Sequence, residues 1–191
     1  MRQSEEQRWI AEATTDPNAL QHLYNRYFPK LYAYIRYRVD RVQDAEDLTA
    51  ETFLKVVEHI EQFAWQGEGS FAAWLFRIAH NCVANFYRRH NHSDESLAPE
   101  AFSKYQTVPY QPDDAVLQQE MFLQLHQLMR RLSTRRQEVI ILRFFAGLRN
   151  QEIAQILALD ERTVASHLYR GLVDLHKLYL EELEQEEERA S

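Results

Sequence analysis

Between Gly69 and His90 the apolar residues Phe71, Trp74, Leu75, Ile78, Cys82, Val83 and Phe86 recur at intervals of three and four. That spacing predicts an amphipathic helix that buries one stripe and turns Arg77, His80, Asn81, Asn85 and Arg88 to other faces. One helix therefore offers both a core stripe and a polar reading surface. Ahead of it, the loop Trp65-Gln66-Gly67-Glu68-Gly69-Ser70 holds two of the chain's four glycines and supplies an N-cap in Gly69 or Ser70. A loop of this kind can close over a small flat object. At the far end, Phe86-Tyr87-Arg88-Arg89-His90 mixes aromatic and cationic groups, which suits unpaired bases and phosphates as well as it suits a helix end.

The same period runs through the chain. A short helical segment is expected from Ser4 to Thr14, followed by Asp16 as N-cap and Pro17 at the first position of a second helix. There Leu20, Leu23, Tyr24, Tyr27, Leu31, Tyr34 and Ile35 keep the helical spacing to about Val39, with Pro29 expected to kink or break it. The tyrosine-rich face reads as core. A third helix, capped by Asp44, buries Leu48, Phe53, Val56, Val57, Ile60 and Phe63. Asp47, Glu51, Lys55 and Glu58 run opposite them, either as a solvated face with a Glu51–Lys55 pair or as a docking surface for a basic partner.

From His92 to about Gln119 the pattern gives way to Ser, Asp, Glu and Pro, which reads as a linker. Treated as flexible, such a segment spans about 25 to 30 Å on average, enough for two domains to reach separate sites on one partner. The expected organisation is all-α: a helical domain over 1–91, an acidic linker over 92–116, a second helical domain over 117–180 and an acidic tail over 181–191.

In the second block, Leu117, Met121, Leu125, Leu128, Met129 and Leu132 open a helix. Ser133 caps another over Thr134 to Phe145, with Gly147 expected at its C-cap. A short helix from Asn150 to Leu157 is followed by a longer one capped by Asp160, with Val164, Leu168, Leu172, Leu175 and Leu178 on its buried stripe. Helix, tight turn, helix is the helix-turn-helix arrangement; small Ala154 admits close approach and Val164 sets the angle, although an ordinary αα-hairpin has the same outline. As a DNA-binding unit it presents Arg162, Thr163, Ser166, His167, Tyr169 and Arg170 to the major groove, with Arg170 suited to guanine and Arg149 to phosphate.

Composition excludes several classes. With 45% hydrophobic and 27% charged residues the chain is globular. No apolar run approaches the ~18 residues of a membrane span and no secretory segment opens the chain, so a cytoplasmic protein without membrane insertion is expected. The single cysteine excludes an internal disulfide and a multi-thiolate metal site; Cys82 reads as core. Net charge is −7, yet Lys and Arg outnumber Asp and Glu in both residues 20–91 and residues 120–180, and the deficit sits in the flanks. No His-Glu-x-x-His helix, glycine-rich phosphate loop or nucleophile–base pair is present, and His90-Asn91-His92 lacks the context of a nuclease. No catalytic residue, metal site or cofactor is expected.

The chain resembles the bacterial RNA polymerase sigma factors of the extracytoplasmic-function (ECF) group. The resemblance rests on four ordered pieces. These are Leu23-Tyr24-Asn25-Arg26-Tyr27 with Pro29 and Leu31-Tyr32; Asp44-Ala45-Glu46-Asp47-Leu48 with Glu51-Thr52-Phe53-Leu54; Phe71 to Asn81; and Glu152-Ile153-Ala154 with Thr163-Val164. It implies two domains, regions two and four, joined by a flexible linker. It also implies docking of Asp47, Leu48, Glu51, Phe53 and Leu54 on the β′ clamp helices of core RNA polymerase. A −10 promoter surface is implied at Trp65, Ser70, Phe71, Trp74, Arg77, His80, Asn81, Asn85 and Arg88, where an extruded base costs a few kcal/mol of unstacking. The helix-turn-helix is implied to read −35 duplex, the β flap to meet the same domain, and an anti-sigma factor to be a partner.

The sequence departs from that pattern at three places. Ala158 stands where a glycine is usual, so the turn either avoids positive φ or accepts strain. Ala165 and His167 stand where basic residues are usual, which implies weaker −35 binding. Ala50 replaces a common glutamine. Two other readings stay open: a stand-alone helix-turn-helix regulator whose N-terminal block senses a ligand or dimerises, and a sigma-like adaptor that does not initiate. The tail from Glu181 is read as the solvated end of the last helix, or as a competitor with promoter DNA for the basic block.

Overall fold

In the computed structural model, residues 4–90 and 124–190 are described, with the side chains of 186–190 left aside. The expected linker over 92–116 and the expected start of the second block to residue 123 lie outside the described residues. Every regular element among the described residues is helical. They form two compact units, one around the N-terminal helices and one around the C-terminal helices, with the short segment Phe145–Leu148 grouping with the first.

The first unit contains α1 (Glu5–Glu12), α2 (Pro17–Arg36), α3 (Val42–His59), a 3-10 turn (Ile60–Gln62) and α4 (Ser70–His90). Ser4 caps α1 by accepting from the Gln7 N–H at 3.2 Å, and Asp16 caps α2 by accepting from Asn18 at 2.9 Å. Helix α2 packs on α1, α3 and α4, and α3 packs on α4. Their shared core holds Leu23, Leu31, Tyr34, Ile35, Phe71, Leu75, Phe76 and Cys82. At the α1–α2 seam the Tyr27 hydroxyl donates to the buried Glu6 carboxylate, which also faces Arg26 at 3.6 Å. Burial first, then that hydrogen bond, pushes the Tyr27 phenol far up.

Three expectations are corrected here. Helix α2 runs through Pro29 without a break. The proline and Asn25, whose carbonyl loses its usual donor, both lie on the exposed side where water can serve it. Helix α3 starts at Val42, so Asp44 sits in its first turn and supplies favourable charge there rather than a cap. Its buried face is Ala45, Leu48, Thr49, Thr52 and Val56, while Val57 is exposed and Phe53 only half-buried. The threonines enter this core because their hydroxyls donate to the carbonyls of Ala45 and Leu48, each at 2.7 Å.

The second unit contains a helix whose described part is 124–130 (α5), then α6 (Thr134–Phe144), α7 (Asn150–Leu157) and α8 (Glu161–Ala190). Helix α6 packs on α7 and α8, and α7 packs on α8. Val139, Ile141, Leu142, Ile153, Ile156 and Val164 fill the space between them. Gly147, expected at the C-cap of α6, instead lies beyond the helix end with φ of 72°. On α8, Leu172 is exposed rather than part of the buried stripe. Its neighbour Gly171 makes the close approach: an added Cβ there would stand 2.9 Å from Ile140 Cδ1 and 3.3 Å from Arg136 Cβ. The acidic tail continues α8 as helix to Ala190, and Glu181 is tied back to Arg131 at 3.3 Å.

Candidate functional site

Three surfaces carry the residues singled out in the sequence. The first is the outer face of α3. Because Leu48, Thr52 and Val56 point inward, the helical period turns Asp47, Leu54, Val57 and Glu58 outward, all exposed, with Glu51 half-exposed beside them. Leu48 itself is buried beneath this face. Phe53 leans on Tyr24 with ring centroids 4.6 Å apart, and Tyr24 stacks on Phe28 at 5.1 Å. Val57 and this aromatic edge of α2 were assigned to the core in the sequence; the three-residue step from Leu54 to Val57 was the available signal. Glu51 receives the Lys55 ammonium at 2.7 Å, and that hydrogen bond is the main reason the Lys55 amine is raised above its ordinary range.

The second surface combines α4 with the loop before it. Gly67 and Gly69 hold φ of 110° and 86°, a conformation that side chains resist. Ser70 pins the loop: its hydroxyl donates to the Gly67 carbonyl at 2.6 Å and accepts from Gln66 N–H at 3.3 Å. Phe71 is fully buried against Tyr27 and Phe63, at 5.3 and 5.5 Å. Trp74 is half-buried, packed on Phe63 and Phe71, and Trp65 is half-buried in the loop. From Trp74, the positions Arg77, Asn81, Asn85 and Arg88 follow at helical spacing along one outer stripe; Arg77, Asn81 and Arg88 are exposed. Arg88 donates to Asn85 Oδ1 at 3.0 Å. His80 is turned toward α2, with Nδ1 3.3 Å from the Tyr34 hydroxyl, which also receives Arg38 at 3.2 Å. The stripe joins an aromatic platform at one end to cations at the other, an arrangement that can stack bases and hold phosphates.

The third surface is the helix-turn-helix. The turn between α7 and α8 passes through Ala158 with φ 53° and ψ 46°, a left-handed conformation, so the chain accepts the strain. Asp160 caps α8, accepting from the Thr163 N–H at 2.8 Å and from its hydroxyl at 2.6 Å. The Thr163 hydroxyl bond is the main cause that holds the Asp160 carboxyl below its usual range. Thr163 is thus engaged in the cap. Val164 is fully buried, as its locking role requires, and the period then exposes Arg162, Tyr169 and Arg170 with Ser166 and His167 half-buried. Arg149 stands at the N-cap of α7 with its guanidinium on Glu152, at 3.0 and 2.7 Å. Among the described residues no cluster of His, Cys, Asp or Glu is arranged for a metal, and no helix is long and apolar enough to cross a membrane.

Comparison with known proteins bears on these surfaces directly. Residues 23–93 match the family model Sigma-70 region 2, and residues 122–175 match Sigma-70, region 4. The ECF RNA polymerase sigma factor SigX of Bacillus subtilis is 30% identical over 175 residues, covering 88% of this chain and 89% of that protein. The chain belongs to the ECF sigma factors. Another member, the sigma factor BldN of Streptomyces coelicolor, is 35% identical over 163 residues, which are 85% of this chain and 61% of BldN. The solved structure of the sigma factor RpoE with the anti-sigma factor NepR, from Bartonella quintana, shares the fold. It has a TM-score of 0.65 and 22% identity, and covers 83% of this chain and 95% of that one. In this ECF sigma factor the first two surfaces fall within the region 2 match, and the third within the region 4 match.

Proposed function

We propose that this sigma factor binds core RNA polymerase and directs promoter-specific initiation. Asp47, Glu51, Leu54 and Val57, with Phe53 behind them, dock on the β′ clamp helices. Trp65, Trp74, Arg77, Asn81, Asn85 and Arg88 hold the opened −10 strand, with Ser70, Phe71 and His80 shaping that surface from within. Arg162, Ser166, His167, Tyr169 and Arg170 read −35 duplex, Arg149 takes phosphate and Thr163 orients the helix start. The β flap meets the same C-terminal unit. The chain supplies no catalytic group; the chemistry of RNA synthesis is the polymerase's, and the protein works beside it in the cytoplasm. The reading rests on one observation: a helix-turn-helix follows, in the same chain, a helical unit that carries an acidic–apolar face and an aromatic–cationic stripe on adjacent helices. A related sigma factor is seen with an anti-sigma factor, and a partner of that class is proposed here as well.

The test is abortive transcription by purified core polymerase on a pool of promoter fragments, with and without this protein. Protein-dependent initiation at a shared two-part sequence is the expected result. Polymerase binding without initiation would replace the reading by an adaptor, and duplex binding without polymerase would replace it by a stand-alone regulator.

A further inference from the structure

Helix α8 has a second apolar side. Val164 and Gly171 are buried against the rest of the C-terminal unit, and Leu168, Leu175 and Leu178 continue that stripe half-buried. On the outward side Tyr169, Leu172, Val173, Tyr179 and Leu180 are exposed, Tyr169 to 71%, with His176 exposed among them and Leu183 half-buried at the end. These positions are symmetric about His176: apolar residues stand seven, four and three places before it and three, four and seven places after it. A two-fold interface between identical chains needs this property, because each position must meet its mate across the axis. Turned antiparallel about His176, two α8 helices bring Tyr169 opposite Leu183 of the second copy, Leu172 opposite Tyr179 and Val173 opposite Leu180, each within about 1.5 Å along the helix axis. His176 meets its own equivalent. Charge favours the same direction. The reading half of α8 carries Arg162 and Arg170, and the far half carries Glu181, Glu182 and Glu184. Antiparallel pairing sets Arg170 about 3 Å along the axis from Glu184 of the second copy, whereas parallel pairing sets like charges side by side.

We propose that this chain forms an antiparallel homodimer through the outward stripe of α8. Because the dimer covers Tyr169 and Arg170, it withholds the −35 reading face, and −35 duplex competes with the second copy. This competition rests on the −35 reading above; the pairing does not. Seven side chains from each copy are fewer than the roughly 20 to 30 residues a side of a stable complex, so the dimer is weak and forms at about 10 to 100 μM. At nanomolar concentration the chain is single and its reading face open. The second copy limits promoter reading only where the chain accumulates.

Sedimentation equilibrium of the full chain over about 1 to 200 μM tests the pairing, and the mass should rise from one chain toward two. Leu180→Glu and Val173→Lys each put a charge on the stripe at an exposed site. Helicity and melting temperature should therefore stay as in the parent, while dimerisation weakens about ten-fold or more, since each change enters the dimer twice. In the double variant the new carboxylate and the new ammonium lie two turns apart within one chain but face each other across the antiparallel pair, and they should restore part of the association. A parent that stays single throughout, a Leu180→Glu chain that pairs as the parent does, or a double variant no better than either single one each overturns the proposal. A parent that stays single while Leu180→Glu weakens binding to core polymerase assigns the stripe to the polymerase instead. Duplex from a promoter on which the chain initiates, added to the parent dimer, should return it to single chains on DNA; a dimer that takes up duplex unchanged overturns the masking. If the chain pairs but neither it nor Leu180→Glu binds any duplex of the promoter pool, the −35 reading fails and the pairing stands.

Discussion

Ala158 shows how much a single residue can cost in a fixed turn. Its φ of 53° is one that a Cβ disfavours and that glycine adopts freely. Ala158→Gly should therefore stabilise the C-terminal unit by about 0.5 to 1 kcal/mol, the relief of strain exceeding the added entropy of the unfolded glycine. Thermal melts that show no rise, or a fall, would mean that the turn is not strained. His167 poses a question of binding rather than folding. It is half-buried on the face that exposes Arg162 and Arg170, where a permanent cation would take a further phosphate. His167→Arg should bind −35 duplex more tightly and steepen the dependence on salt by about 0.9 in log–log slope, one counterion's worth. An unchanged slope would place the side chain away from the phosphates.

At the level of the element, the helix limits marked by polar residues ahead of an apolar period were the most legible. The range Asn150–Leu157 and the caps at Asp16 and Asp160 could be read directly, because short polar side chains before an apolar period carry their own mechanism. Helix α3, which packs on α2 and α4, was harder. Its buried arc is made partly of threonines satisfied by their own helix, while Leu54 and Val57 face outward, so hydrophobicity alone misplaced the boundary. Leu48 and Phe71, which the helical period placed on buried stripes and the resemblance implied as contacts, are both buried. The tail illustrates a different limit: composition shows acid but not direction. As an unbroken helix rising ~1.5 Å per residue, α8 carries Glu184 about 20 Å along the rod from Arg170. A rigid rod cannot fold back on its own reading face. Removing residues 182–191, which spares the Glu181–Arg131 pair, should leave −35 affinity at low salt within about two-fold. A large rise would mean that the tail melts from α8 and competes with DNA after all.

At the level of the molecule, each unit has its own core, and a few groups with shifted titration lie in each. In the N-terminal unit burial raises the phenols of Tyr27, Tyr32 and Tyr87 above their ordinary 10.0. Neutral phenol is the form the fold prefers, so this stabilisation is complete below pH 10 and is lost as pH rises through the shifted values. In the C-terminal unit the Asp160 carboxyl is lowered from 3.8 by its bonds to Thr163. Here the ionised form is preferred, so the contribution is present above 3.8 and is lost as pH falls through the lowered value. Calorimetry of the full chain should then resolve two transitions that respond separately. Alkali above pH 10 should lower the one assigned to the N-terminal unit, and Tyr27→Phe should flatten that dependence. The other transition is the one that Ala158→Gly should raise. A single transition that responds to both alkali and Ala158→Gly would show that the units fold as one, and the separate treatment of −10 and −35 surfaces would lose its physical basis.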